Sequence, residues 1–322
     1  MHKIGISEGA IADLSWTEPV AKALGLEIHV FSIATPDDVA KNLVGMDALV
    51  VSLQKVNAEV IAALPDSIKC VGRLGVGLDN IDLESAKSNK LPVIFQPTYA
   101  YHEVANHAIA MIMALHRGLM TASTGIKNSE WISAPKVAKI VSLQDATLGV
   151  VGCGRIGQSL IAKMRPIVKE IIGFDPALTT QIPGVRMMST LDELLERSHI
   201  VTLHAPYMPS THHMISHKQL AKMQEGSILV NVSRGGLIDE NALCDALNSG
   251  HLDGAGLDVY EKEPLQEGSP LRGAKNIILT PHIAWYSQSA GRRLVTWALT
   301  DVHSFLTGNN ILNGKFAAGP FN

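Results

Sequence analysis

Asp145-Ala146-Thr147-Leu148-Gly149-Val150-Val151-Gly152-Cys153-Gly154-Arg155-Ile156-Gly157 is an apolar run that ends in glycines spaced as G-x-G-x-x-G. Thr147 to Val151 reads as a short buried strand and Gln158 to Met164 as the helix after it, which is the strand-to-helix setting this spacing requires. Gly152 permits the tight turn, Gly154 lets a pyrophosphate approach the backbone, and Gly157 lets helix pack on strand. The helix start adds unpaired N–H groups and a positive dipole end. A second apolar run, Glu170 to Phe174, ends in Asp175, 18 residues past Gly157. An acid there accepts hydrogen bonds from an adenosine ribose diol and repels a 2′-phosphate, so the two features together point to NAD rather than NADP. The bland alternative, a glycine-rich turn with a surface aspartate, does not account for both pieces at this spacing.

Working outward, short apolar runs alternate with helix-like segments on both sides of the turn. Upstream the strands are expected at Lys3 to Ile6, Glu27 to Phe31, Ala48 to Ser52, Lys69 to Leu74 and Pro92 to Phe95, with helices over Ser15 to Leu24, Asp37 to Val44 and Ala58 to Leu64. This is a complete α/β domain before residue 100. Glu103 to Leu119 reads as one long helix leading to a second alternation, with strands at Thr147 to Val151, Ile171 to Phe174, Ile200 to His204, Ser227 to Val232, Gly254 to Asp258 and Ile277 to Thr280. Thr190 with Glu193 makes a capping box, and Asp239 caps a helix that stops at Gly250. Ser287 to Leu306 reads as an amphipathic helix packing back on the first domain, and the Asn- and Gly-rich tail from Gly308 to Asn322 reads as irregular. The expected fold is α/β, with two doubly wound parallel-sheet domains. One is flavodoxin-like and discontinuous, over 1–99 plus 286–322, and the other is a Rossmann dinucleotide domain over 100–285.

The totals agree with a globular pair of domains. The 322 residues exceed what one core usually supports. With 46% hydrophobic and 18% charged residues and a net charge of -3, the chain has no basic field to hold nucleic acid or an anionic membrane. The longest membrane-like segment, Ala108 to Leu115, is far short of the ~20 apolar residues that span a bilayer. No signal peptide is read at Met1-His2-Lys3-Ile4-Gly5-Ile6, and Cys70, Cys153 and Cys244 lie apart without C-x-x-C spacing. A cytoplasmic, reducing location is expected, with Cys153 as a small apolar filler rather than a redox group.

Ligands of open α/β sheets bind at the carboxyl ends of strands, and three ionisable residues follow three separate strands there: Arg234, Glu263 and His282. Hydride exchange between NAD and a 2-hydroxy acid needs a base for the hydroxyl proton, a group that orients the base, and a cation for the carboxylate and carbonyl. His282 suits the first role because imidazole titrates near neutral pH. Glu263 would hydrogen-bond the other ring nitrogen and favour the protonated form, and Arg234 would fork onto substrate oxygens as lysine cannot. His212, His213 and His217 suggest a metal, yet no cysteine or acid in that stretch completes a tetrahedral set, so no metal is expected.

Val230-Asn231-Val232-Ser233-Arg234-Gly235-Gly236-Leu237-Ile238-Asp239, Gly256-Leu257-Asp258-Val259-Tyr260-Glu261-Lys262-Glu263-Pro264 and Thr280-Pro281-His282-Ile283-Ala284 together resemble the D-isomer-specific 2-hydroxyacid dehydrogenase family. The likeness extends to His204-Ala205-Pro206 and to Arg73-Leu74-Gly75-Val76-Gly77-Leu78-Asp79-Asn80-Ile81-Asp82, so it covers nearly the whole chain. The resemblance implies a cofactor site of Gly152, Gly154, Arg155, Ile156, Gly157, Asp175, His204, Ala205, Pro206, Thr211, Val232, Ser233, Asp258 and Ala284, with Asp258 near the nicotinamide. It also implies that Leu74, Gly75, Val76 and Gly77 hold the substrate carboxylate, that the active site opens between domains, and that the protein is a homodimer using the helix after residue 102. Asn106 and Ala108 depart from the common pattern, which has an acid and a hydroxyl residue there.

Within the family, formate dehydrogenases carry Gln where Glu263 stands, which disfavours that branch. Phosphoglycerate dehydrogenases usually append regulatory domains and need cations for the phosphate, for which Lys55 is the evident first-domain candidate. Trp285, in a run resembling the C-terminal binding protein corepressors, and Tyr99, placed as in D-lactate dehydrogenases, would wall a pocket for an apolar keto acid. Leu53, Gln54 and Tyr101 would also shape it. The expected function is NAD-dependent reduction of a small 2-keto acid; the alternative is an NADH-sensing dimeric corepressor-like binding protein.

Overall fold

A computed structural model describes residues 1–137 and 141–321. The chain divides into two compact units, Met1–Tyr99 with Ser287–Asn322, and Ala100–Tyr286. In the first, β1 (His2–Ser7), β2 (Leu26–Phe31), β3 (Ala48–Val51), β4 (Cys70–Arg73) and β5 (Val93–Phe95) alternate with α1 (Thr17–Leu24), α2 (Pro36–Asn42), α3 (Ala58–Ala62) and α4 (Leu83–Ser88). Every residue of β3 and β4 is buried, as expected of strands covered on both faces. Local chemistry sets the helix starts: Thr35 and Asp38 form a capping box, and the side chains of Asn57 and Asp82 cap the next two helices.

The second unit begins with α5 (Tyr101–His116) and α6 (Leu119–Lys127). The single helix expected over Glu103 to Leu119 is therefore corrected to two. Gly118 sits at φ 56° and ends the ladder, a left-handed conformation that glycine adopts without a Cβ penalty. There follow β6 (Thr147–Val151), α7 (Arg155–Met164), β7 (Glu170–Phe174), β8 (Arg186–Met187), α8 (Leu191–Arg197), β9 (Ile200–Leu203), α9 (His217–Leu220), β10 (Ser227–Asn231), α10 (Glu240–Asn248), β11 (Leu252–Leu257) and β12 (Ile277–Leu279). The two-residue β8 is too short to carry a periodic signal. Thr190 accepts from the Glu193 N–H and Asp239 from the Ala242 N–H, so both side-chain caps form, but the capping box expected at Thr190 is corrected to its first half, because the Glu193 carboxylate accepts from the Ser189 N–H instead.

The chain closes with α11 (Gln288–Leu306) and β13 (Lys315–Ala318). The tail expected to be irregular thus contains a strand, paired antiparallel with β5; Asn322 lies outside the described residues. Asp301, fully buried on α11, explains the order: its carboxylate accepts from the N–H groups of Leu312, Asn313 and Gly314 and from Gln96. α11 sits close on β4 because a Cβ at Gly72 would come within 2.8 Å of Val302.

The first sheet runs β13-β5-β4-β3-β1-β2, a flavodoxin-like order with an antiparallel edge strand added. The second runs β12-β11-β10-β9-β6-β7-β8, and every pairing in it is parallel. Its order reverses between β6 and β9, which makes a crevice at the carboxyl ends of those strands. Because the sheet is parallel, the loops after β6, β7, β9, β10, β11 and β12 all leave from one edge.

Candidate active site

The glycine turn leaves that edge after β6, and each of its glycines has its own steric reason. Gly152 has φ +87°, and a Cβ there would lie 2.5 Å from the His204 carbonyl carbon. A Cβ at Gly157 would lie 2.3 Å from the Gly152 oxygen, so the helix start packs directly on the turn. At Gly154, by contrast, a Cβ would meet nothing within 4 Å, so open space lies in front of the N-terminus of α7. Arg155 and Ile156 form its first turn. An exposed cradle at a helix N-terminus fits a pyrophosphate. Asp175 is held after β7 by hydrogen bonds from the Cys153 and Ala177 N–H groups, 2.9 and 3.0 Å long, and each of its oxygens keeps a lone pair for a ribose diol. Burial pushes the Cys153 thiol up to about 11, with Asp175 adding to the shift, so the thiol stays protonated.

The next loops close the same edge. His204 follows β9 with Nε2 3.0 Å from Thr202 Oγ1, while its Nδ1 is shielded from solvent without a partner among the described residues. Burial pulls this imidazole down to about 4. Ala205 and Pro206 follow it, and Thr211 folds the loop by donating to the Pro206 carbonyl and accepting from the Met208 N–H. After β10, Val232 is buried, and Ser233 Oγ donates to the Leu203 carbonyl, joining two strand ends. Of the three histidines that suggested a metal, His212 and His213 stack, His213 pairs with Glu261 at 2.9 Å, and His217 lies 3.9 Å from Asp245. Among the described residues no group of three metal-ligating side chains gathers.

Three loops after β10, β11 and β12 bring the expected acid–base residues together. A Cβ at Gly235 would lie 1.8 Å from the Tyr260 carbonyl carbon, so the Arg234 turn presses on the loop that carries Glu263. Glu263 Oε1 accepts from the Tyr260 N–H at 3.1 Å, and Oε2 lies 2.7 Å from His282 Nδ1. Burial alone would raise the Glu263 carboxyl, but the His282 bond and charge, the Tyr260 N–H and nearby Arg234 outweigh it and hold the acid below its ordinary range. An ionised carboxylate accepts, so Nδ1 bears the proton and Nε2 is left for chemistry. His282 itself sits at φ 55°, an uncommon conformation for a residue with a Cβ, which a surrounding structure must impose. Asp258, fully buried, supplies much of that constraint: its carbonyl accepts from His282 N, and its carboxylate accepts from the N–H groups of Ile283 and Ala284 and from Thr280 Oγ1. The Trp285 indole N–H donates to the His282 carbonyl at 3.1 Å.

In the first unit the loop after β4 has a basis that sequence spacing does not disclose. Arg73 is buried, and its Nη1 donates to the Leu74 carbonyl. Gly75 has φ +132°, and a Cβ on it would meet Arg73 Nη1 at 1.6 Å. The Gln96 N–H donates to the Gly75 carbonyl, whereas the N–H groups of Val76 and Gly77 donate to no described residue. Tyr99 is buried and its carbonyl accepts from Arg293. Leu53 and Lys55 are exposed, and Gln54 accepts from Ser7 Oγ and the Ser52 N–H.

Comparison with known proteins places the chain in a family. Residues 109–284 match the family described as D-isomer specific 2-hydroxyacid dehydrogenase, NAD binding domain. The chain is 35% identical to D-3-phosphoglycerate dehydrogenase of Methanocaldococcus jannaschii over 89% of its own length and 55% of the relative's, so it spans about half the length of that relative. It is 32% identical to hydroxypyruvate reductase of Blautia hydrogenotrophica, over 94% of this chain and 95% of that one. Among solved structures, D-lactate dehydrogenase from Aquifex aeolicus, complexed with NAD and lactic acid, matches with a TM-score of 0.86 and 27% identity, covering 99% of this chain and 100% of that one. The chain therefore belongs to the D-isomer specific 2-hydroxyacid dehydrogenase family and carries its NAD-binding domain.

Proposed function

We propose that this protein reduces a small 2-keto acid to the D-2-hydroxy acid, and catalyses the reverse oxidation, with NAD as cofactor and His282 as general acid and base. The observation that carries the reading is the 2.7 Å contact between His282 Nδ1 and Glu263 Oε2, at the same sheet edge as Arg234 and the glycine turn. When bound, the reduced cofactor supplies the hydride for the keto carbon. Glu263 keeps the Nδ1 proton in place, so the proton that moves is carried at Nε2, given to the carbonyl oxygen in reduction and taken from the hydroxyl in oxidation. Arg234 forks onto the carboxylate and carbonyl oxygen and polarises the latter.

The first unit's share in this reading is carboxylate binding at Leu74, Gly75, Val76 and Gly77, supported by the two N–H groups that donate to no described residue. Tyr99 and Trp285 are assigned to the substrate pocket wall, Asp175 to the adenosine ribose, and the remaining cofactor contacts to the loops after β6, β9, β10, β11 and β12. Hydroxypyruvate is the first substrate to test, supported by the near full-length similarity to a hydroxypyruvate reductase. A cytoplasmic homodimer completes the reading. The exposed apolar side chains of Leu119, Met120, Ile126 and Trp131 support the dimer, and three buried free cysteines support a reducing compartment.

The test is NADH oxidation against hydroxypyruvate, glyoxylate, pyruvate and phenylpyruvate, repeated with NADPH. His282→Ala is expected to abolish turnover while NADH binding, followed by fluorescence, stays within about twofold of the parent. Turnover that survives the substitution would discard the mechanism, and a preference for NADPH would remove the role given to Asp175.

A further inference from the structure

We propose that His107 and Thr280 are positioning residues for the reaction: a hydrogen-bonded chain from His107 through Thr280 to Asp258 sets the loop that presents His282. The inference rests on the function proposed above. His107 lies on α5, in a stripe with Met111 and Leu115 at four-residue spacing, so the three side chains share one helix face. That face lies flat on β11 because the strand offers glycines beneath it: a Cβ on Gly256 would stand 3.0 Å from Met111 Sδ, and one on Gly254 3.0 Å from Leu115 Cδ2. One turn earlier, the same face brings His107 Nε2 to 3.0 Å from Thr280 Oγ1, just past the end of β12.

The direction of the chain follows from proton counting. Asp258 is fully buried and already accepts from Ile283 N at 2.9 Å and Ala284 N at 2.8 Å, the pattern of an ionised carboxylate. Thr280 Oγ1, 2.6 Å from Asp258 Oδ1, gives its one proton there. It can then only accept from His107, whose Nε2 must carry a hydrogen. Both partners of Asp258 that follow His282 are backbone N–H groups, and the residue before Pro281 supplies the third donor, so the carboxylate grips His282 from either side. The left-handed backbone of His282 is the consequence of that grip. Without Thr280 Oγ1 the buried carboxylate loses a donor; without His107 the hydroxyl loses the partner that fixes its rotamer. In both cases the imidazole loses its aim at the substrate while the cofactor cradle on β6 and β7 is untouched.

The experiment compares Thr280→Val and His107→Phe, which keep volume but remove the polar atoms, with Thr280→Ser and His107→Gln, which keep a hydroxyl and an N–H at the Nε2 position. The first two are expected to lower kcat at least tenfold in protein that circular dichroism shows to be folded at the assay temperature, and the second two to recover activity to within about threefold. Hydrogen exchange of the Ile283 and Ala284 amides, read without substrate, should speed up in the first pair only. If the parent turns over a keto acid, His282→Ala does not, and Thr280→Val and His107→Phe match the parent in kcat and amide exchange, the chain is overturned while the function stands. If the parent itself reduces none of the keto acids, the function reading fails, and the exchange rates alone still decide whether the chain holds the loop.

Discussion

At the scale of single residues, His204 shows how burial becomes a pH response. Its Nδ1 is shielded from solvent and has no partner among the described residues, and burial pulls the ring to about 4 from an ordinary value of 6.5. A base whose folded value is depressed contributes its full stability above the unfolded value and loses it as pH falls toward the folded one. The window is therefore pH 6.5 down to 4, and the loss is at most about 3 kcal/mol. Urea unfolding at pH 7.5 and pH 4.5 should show the parent losing more than His204→Asn over that interval; equal losses would mean that the ring is solvated. Glu263 works the other way at the same edge. Its carboxyl is held below the ordinary range, so it remains an ionised partner for His282 well into mildly acidic solution.

Among elements, β13 is held by its pairing with β5 and by one side chain, Asp301, which ties down the turn that leads into it. Asp301→Ala would leave the N–H groups of Leu312, Asn313 and Gly314 and the Gln96 amide without their acceptor, at a cost of roughly 3 kcal/mol. Amide exchange should then show Lys315–Ala318 unprotected before any other strand, and an unchanged exchange pattern would assign the strand to its pairing with β5 alone. The same strand marks a boundary of sequence reading. β3, β6 and β10 were legible because each is an unbroken buried apolar run, and Thr190 and Asp239 were legible because caps are local. Lys315-Phe316-Ala317-Ala318 is no such run, and the acid that orders the turn before it, Asp301, lies fourteen or more residues from the strand on a helix. The break between α5 and α6 was hidden for a related reason: Leu119 and Met120 continue the apolar pattern, and only Gly118 hints at a turn. Arg234, Glu263 and His282 could be named from their motifs, whereas the link from His107 to Thr280 joins residues 173 positions apart and needed the folded sheet to appear.

For the whole molecule, the surface of the second unit carries the next prediction. Trp131 is 91% exposed, near Leu119, Met120 and Ile126 in sequence, and side chains of this kind in one region mark an interface. Trp131→Arg should halve the mass measured by sedimentation at micromolar concentration if the proposed homodimer uses this surface; an unchanged mass would move the interface elsewhere. The division of the chain has a different consequence, in the order of synthesis. Ala100–Tyr286 is one continuous segment and leaves the ribosome ahead of Ser287–Asn322, on which the other unit depends for α11 and β13. Until Ser287–Asn322 emerges, the β4 face under Val302 and the open edge of β5 are exposed to solvent, while the later-made unit already has all of its strands. Of these two units, the one whose synthesis begins earlier is thus completed later, and a nascent chain that has cleared the ribosome only as far as Tyr286 would present a folded nucleotide-binding unit tethered to an unfinished, aggregation-prone one.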